Sequence, residues 1–174
     1  MDPFIINILL GLKGPFAYLL VFGILLLCGL GLPIPEDITL FAAGLMSFYK
    51  VTHVYVATVV CLVGVLLGDT IIFTLGHKYG RSIASKGFFK KILSEERLNQ
   101  VSKKFIKDGN FIIFWARFMP GLRAPIFFSA GTLHLPFRVF LFYDGTASLI
   151  SVPAIVYSVY YFGSELDFIL RKRE

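Results

Sequence analysis

Charge is scarce in this sequence. Of 174 residues, 17 are Lys or Arg and 11 are Asp or Glu, so only 16% carry charge. Soluble domains hold about 25%, and this chain has too few charges to cover a water-facing surface. Cysteine occurs twice, which excludes a disulfide-stapled secreted scaffold. Cys28 and Cys61 both lie in apolar segments and read as buried thiols packing as small hydrophobes. The start, Met1-Asp2-Pro3, lacks the basic region and the small-residue cleavage site of a signal peptide, so none is expected. Apolar residues make up 56% of the chain, which excludes intrinsic disorder. The expectation is an all-α integral membrane protein of a single domain.

The net charge of +6 has one location. Residues 77–110 carry Lys78, Arg81, Lys86, Lys90, Lys91, Arg97, Lys103, Lys104 and Lys107 against Glu95, Glu96 and Asp108, and the rest of the chain sums to zero. Charge concentrated in this way points to an anionic lipid surface rather than to nucleic acid, and the positive-inside rule puts the segment in the cytoplasm. Phe89 and Leu93, and Leu98, Val101 and Phe105, stand at helical spacings within it. A basic amphipathic helix lying on lipid is expected, the alternative being a solvated loop with a little helix.

The apolar runs are unequal. Residues 14–35 hold no charge over 22 positions, long enough to span a bilayer, but Gly29, Gly31, Pro33 and Pro35 interrupt them. Glu36 and Asp37 follow, and then only twelve uncharged residues, 38–49. Twelve residues reach about 18 Å as a helix, too short to cross. Residues 51–76 form a long run broken by Asp69 alone. The order recurs after the basic segment: a short apolar piece at 109–116, the string Arg117-Phe-Met-Pro-Gly-Leu-Arg123, a short run to Phe137, and a spanning candidate at 145–164 that contains Pro153.

Shifted by 87 residues, the two halves align. Pro33 falls on Pro120, Gly44 on Gly131, Gly76 on Gly163 and Glu36 on Arg123. Each half therefore reads as a re-entrant helical hairpin followed by one transmembrane helix, repeat 1 at 14–76 and repeat 2 at 111–163. The basic segment 77–110 joins them and a charged tail, 164–174, follows. Pro33, Pro35, Pro120 and Gly121 are the expected hairpin breaks. One crossing between hairpins inverts the second unit, a plan found in transporters. This topology sends Arg171-Lys172-Arg173 outside, against the positive-inside rule, which a full crossing of 109–137 would relieve.

Glu36, Asp37, Asp69, Arg117 and Arg123 lie in or beside apolar segments. An unpaired charge at bilayer centre costs about 2.5–3.5 kcal/mol or more, so these residues face a cavity, pair with one another, or sit at the interface. Arginine forks match phosphate oxygens, which marks Arg117 and Arg123 as phosphate-binding candidates. Glu36, Asp37 and Asp69 could carry protons or pair with the arginines. Asp144 reads as a helix cap ahead of an intramembrane carboxylate. His53, His77 and His134 show no ligand spacing and read as interfacial. No metal or cofactor motif is present, and no nucleophile–base pair, so an enzyme such as a lipid phosphatase is not expected.

The strings GLPIPEDITLFAAG, GDTIIFTLGHKYGR and FWARFMPGLRAPIFFSAG resemble the DedA family, also called the VTT-domain family, from about Gly29 to Gly163. The resemblance implies a multi-pass inner-membrane protein with two opposed re-entrant hairpins, implicated in moving lipids between leaflets. The implied cargo is undecaprenyl phosphate or a phospholipid, with proton motive force as the energy source in some members. The family's functional arginines fall on Arg117 and Arg123. Its hairpin carboxylate falls on Asp37 by spacing to Gly44, with Glu36 adjacent and the choice between them open. Some members carry a second essential carboxylate upstream, where this chain is apolar around Leu25; the position of Asp144 is often asparagine in the family. A proton-coupled carrier of a soluble anion and a structural or assembly factor remain alternatives. Oligomeric state is left open.

Overall fold

The computed structural model describes residues 14–29, 36–84, 103, 111–119 and 122–171. Within them lie six helices and no strand: α1 (Pro15–Gly29), α2 (Glu36–Phe48), α3 (Val54–Ala84), α4 (Phe111–Ala116), α5 (Arg123–Thr132) and α6 (Phe137–Arg171). The expected breaks Pro33, Pro35, Pro120 and Gly121, and most of the basic segment, lie outside the described residues.

Local chemistry sets the helix ends. α1 opens on Pro15, where the missing N–H is harmless and φ is already helical. α2 opens on Glu36 and Asp37, acids at the positive end of the helix dipole. The short helices α2 and α5 stop in the same way. Lys50 and His134 adopt left-handed φ of 58° and 54°. Around them Lys50 N–H donates to Ser47 O and Val51 N–H to Met46 O, while His134 N–H donates to Gly131 O and Leu135 N–H to Ala130 O. This paired bonding turns the chain sharply and satisfies the last carbonyls.

α3 and α6 each contain a 27-residue apolar stretch, Val54–Gly80 and Phe137–Gly163. At about 1.5 Å per residue each reaches about 40 Å, more than the hydrocarbon core. Gly80, at φ 45°, breaks the helical path where the apolar stretch of α3 ends. α6 runs on through Pro153. It also starts earlier than expected, so Asp144 lies inside the helix and is not its cap.

α1 packs on α3, α2 on α6, α4 on α6, and α5 on α3, with α3 and α6 in contact between them. Bare backbone allows the closest crossings. At Gly29 a Cβ would collide with the backbone of Gly68, and at Gly131 with the Phe73 carbonyl of α3. Two apolar cores result. One gathers Ile72, Phe73, Ile113, Phe127, Phe128 and Phe140; the other gathers Val21, Leu25, Leu40, Val65, Val152 and Val156. Outside them, Leu19, Tyr55, Val59, Phe142, Leu149 and Phe162 are all exposed. Apolar exposure of this extent on long helices suits lipid, not water. Hydroxyls follow the same solvent logic: Thr58, Ser129, Ser148 and Thr146 donate to the carbonyl four residues back.

Candidate functional site

The charged residues collect between the two cores. Asp69 sits on α3 between Val65 of one core and Ile72 of the other. Asp144 sits on α6 between Phe140 and Val152. Glu36 is the first residue of α2 and Arg123 the first of α5, so two helix starts meet face to face. Arg117 follows the last residue of α4 and reaches in from the side. Glu36 and Arg123, which the 87-residue shift makes equivalent, are direct ion-pair partners.

Arg117 is enclosed. Its side chain is 1% exposed, and it donates to Asp144 Oδ1 at 3.0 Å, Asp69 Oδ2 at 3.3 Å, Glu36 Oε1 at 3.4 Å and Ser151 Oγ at 2.7 Å. Each of the three guanidinium nitrogens meets an acceptor. Charge-assisted bonds of this kind are the strong ones, and burial raises what is lost when one partner goes. Arg123 pairs with Glu36 and Asp69. It differs in access: its side chain is 15% exposed and that of Glu36 11%, against 2% for Asp69 and none for Asp144. Arg123 Nε and Asp144 Oδ2 are buried without a hydrogen-bond partner among the described residues. The Phe127 ring lies 5.6 Å from the Arg123 guanidinium and closes one side.

Four of the five residues singled out in the sequence thus converge: Glu36, Asp69, Arg117 and Arg123. The fifth, Asp37, is exposed and makes no ion pair among the described residues. Asp144 and Ser151 join the cluster, and sequence reasoning did not place either there. A signal existed, since the two stand seven residues apart, two turns along one face of α6. The histidines also separate. His53 donates its backbone N–H to Tyr18 Oη at 2.8 Å, while the side chains of His77 and His134 touch.

Three carboxylates facing two guanidiniums leave one formal negative charge when all are ionised. Such a cluster can exchange protons, and its arginines can trade a carboxylate for another oxyanion. Fold and site together define a helical membrane protein with a buried ion-pair centre between two long apolar helices.

The VTT domain matches residues 34–161, which contain this whole centre, and the chain belongs to that family. It is 38% identical over 152 residues to an uncharacterized membrane protein of Haemophilus influenzae, covering 86% of this chain and 72% of the relative. It is 29% identical over 157 residues to Protein DedA of Escherichia coli K12, covering 87% and 71%. An inner membrane protein of Borreliella burgdorferi is 27% identical over 158 residues, covering 90% and 75%. No solved structure matches.

Proposed function

We propose that this protein is a multi-pass inner-membrane flippase or scramblase that carries a lipid phosphate, undecaprenyl phosphate or a phospholipid, between leaflets. The observation that carries the reading is the face-to-face meeting of Glu36 and Arg123 at two helix starts, beside Asp69 within a long apolar helix. Irregular backbone at that depth is tolerated where it is buried in protein or lines water. The inverted-repeat plan accounts for the packing. The shift of 87 residues maps α2 onto α5 and α3 onto α6, and α2 packs on α6 while α5 packs on α3. An exchange of this kind is what a two-fold relation between the halves produces.

The two arginines take different parts. Arg123, with Glu36, is the accessible pair and meets the phosphate first. Arg117, sealed by four acceptors, holds the carboxylates in place. A phosphate monoester brings about −1.5 to −2 charges, and the centre is already one negative charge in excess. Binding therefore goes with proton uptake by Glu36 or Asp69, which releases Arg123 from its carboxylates. The acyl or prenyl chains stay in the bilayer while the headgroup passes. The net basic charge of residues 77–110 favours the anionic cytoplasmic surface as their partner. No covalent step is involved.

The four acceptors around buried Arg117 favour a second reading, an assembly factor in which the ion pairs only hold the helices together. The test is leaflet exchange of fluorescent undecaprenyl phosphate or phospholipid in liposomes, with and without a pH gradient. Exchange that is lost in folded Arg123→Ala supports the flippase. Uptake of soluble phosphate without lipid exchange would point to an anion carrier, and inactivity of folded protein in both assays to the assembly role.

A further inference from the structure

His77 lies on α3, one turn beyond Phe73, and His134 lies in the turn between α5 and α6, 57 residues away. Their Nδ1 atoms are 3.3 Å apart and their rings meet edge to face at 84°. Both residues are exposed. A nitrogen–nitrogen separation of 3.3 Å allows a weak hydrogen bond whose direction is set by the tautomers. It also suits a shared ion. Two imidazole nitrogens at about 2.0–2.1 Å from one ion, set at the tetrahedral angle, lie about 3.3–3.4 Å apart.

The surroundings hold this geometry in place. The Phe73 ring stacks on His77 at 6.3 Å and is itself fixed against Phe140 at 4.3 Å. Gly76 and Gly131 let α3 and α5 meet backbone to backbone beside the pair, a Cβ on either colliding with the other helix. His134 occupies a left-handed position, φ 54°, that glycine would take more readily. Lys78, the cation next in sequence to His77, is directed over the Tyr79 ring at 5.6 Å. Exposure leaves the remaining coordination positions to water.

We propose that His77 and His134 form a two-imidazole site for a divalent transition-metal ion of the zinc type, at the end of α3 where the basic segment begins. Imidazole suits such ions. The bound ion would clamp the end of α5 to α3, and the site does not depend on the transport reading.

The test uses the full chain, purified on an affinity tag free of histidine. Zinc is titrated by calorimetry, and cobalt is added as a spectroscopic stand-in. The expected result is one ion per chain, an intense tetrahedral-type cobalt absorption, and an increase in Tm with zinc. His77→Gln and His134→Asn each lower zinc affinity about tenfold or more, at least what loss of a supporting group costs a metal site. Asparagine is chosen because it tolerates left-handed backbone. His53→Gln leaves binding unchanged. Equal zinc affinity in wild type and both variants overturns the assignment, leaving a hydrogen-bonded pair only. Because the cobalt spectrum is read on the wild type, a weak octahedral-type spectrum overturns it even if a variant fails to fold.

Discussion

Removing the Arg117 guanidinium should unbalance the charged centre more than any other single change. At 3.0 Å from Asp144, 3.3 Å from Asp69 and 3.4 Å from Glu36, each attraction is about 5 kcal/mol at an effective dielectric of about 20. Desolvation of the ions offsets much of this gross figure. What Arg117→Ala exposes is the remainder: three buried carboxylates with Arg123 as their one cation. Breaking a buried pair costs about 3–5 kcal/mol, and that is the expected loss of stability in an equilibrium unfolding titration in mixed micelles. Asp144 pairs with Arg117 alone among the described residues. Arg117→Ala with Asp144→Asn should therefore recover about 0.5–3 kcal/mol relative to Arg117→Ala, the range of coupling measured between contacting residues. Arg123→Ala should cost less stability, since water reaches that side chain and Arg117 still holds Asp69. It should nevertheless abolish lipid exchange. The reasoning fails if Arg117→Ala unfolds within about 0.5 kcal/mol of wild type, or if the double variant loses the sum of the two single losses.

Other consequences can be checked separately. Glu36→Gln should eliminate phosphate-lipid exchange in liposomes, while Asp37→Asn, altering an exposed side chain, should leave the rate within a factor of about two. Exchange of a phosphate-monoester lipid should accelerate as pH falls, because a dianionic phosphate enters an already negative centre only with protons; a rate flat across neutral pH would refute the coupling. Gly131→Leu drives a side chain into the Phe73 carbonyl and the His77 amide and should destabilise by about 3 kcal/mol, seen as loss of monodisperse protein in detergent. Cys61, fully buried, should resist maleimide until the protein unfolds, while the partly exposed Cys28 labels first.

Run lengths of apolar residues carried the architecture, because the span needed to cross hydrocarbon is a local property of the chain. The segments 51–76 and 145–164 were legible for that reason as helices long and apolar enough to cross, and 38–49 as too short. Gly76 was legible as a segment end, yet the helical path of α3 runs on to the break at Gly80, because close packing on α5, not the end of the helix, is what requires glycine at 76. The type of chemistry was legible too: scarce charges of opposite sign within apolar sequence must find one another or water.

Partnership was not legible. Glu36 and Asp37 are adjacent, and on a helix neighbours point about 100° apart. The rotation of α2 against α6 turns Glu36 toward Arg123 and leaves Asp37 exposed, and no composition or spacing reports that rotation. Asp144 resembled a cap because helix starts are poorly marked in uniformly apolar sequence; packing of α6 on both cores decided that it lies inside. His77 and His134 carry no motif and touch only because α5 lies on α3. The sequence by itself determined a helical membrane protein with charges that cannot stay alone, since hydrophobicity and segment length act locally. Tertiary structure decided which charges meet and which histidines pair, since those depend on how helices far apart in the chain turn and cross.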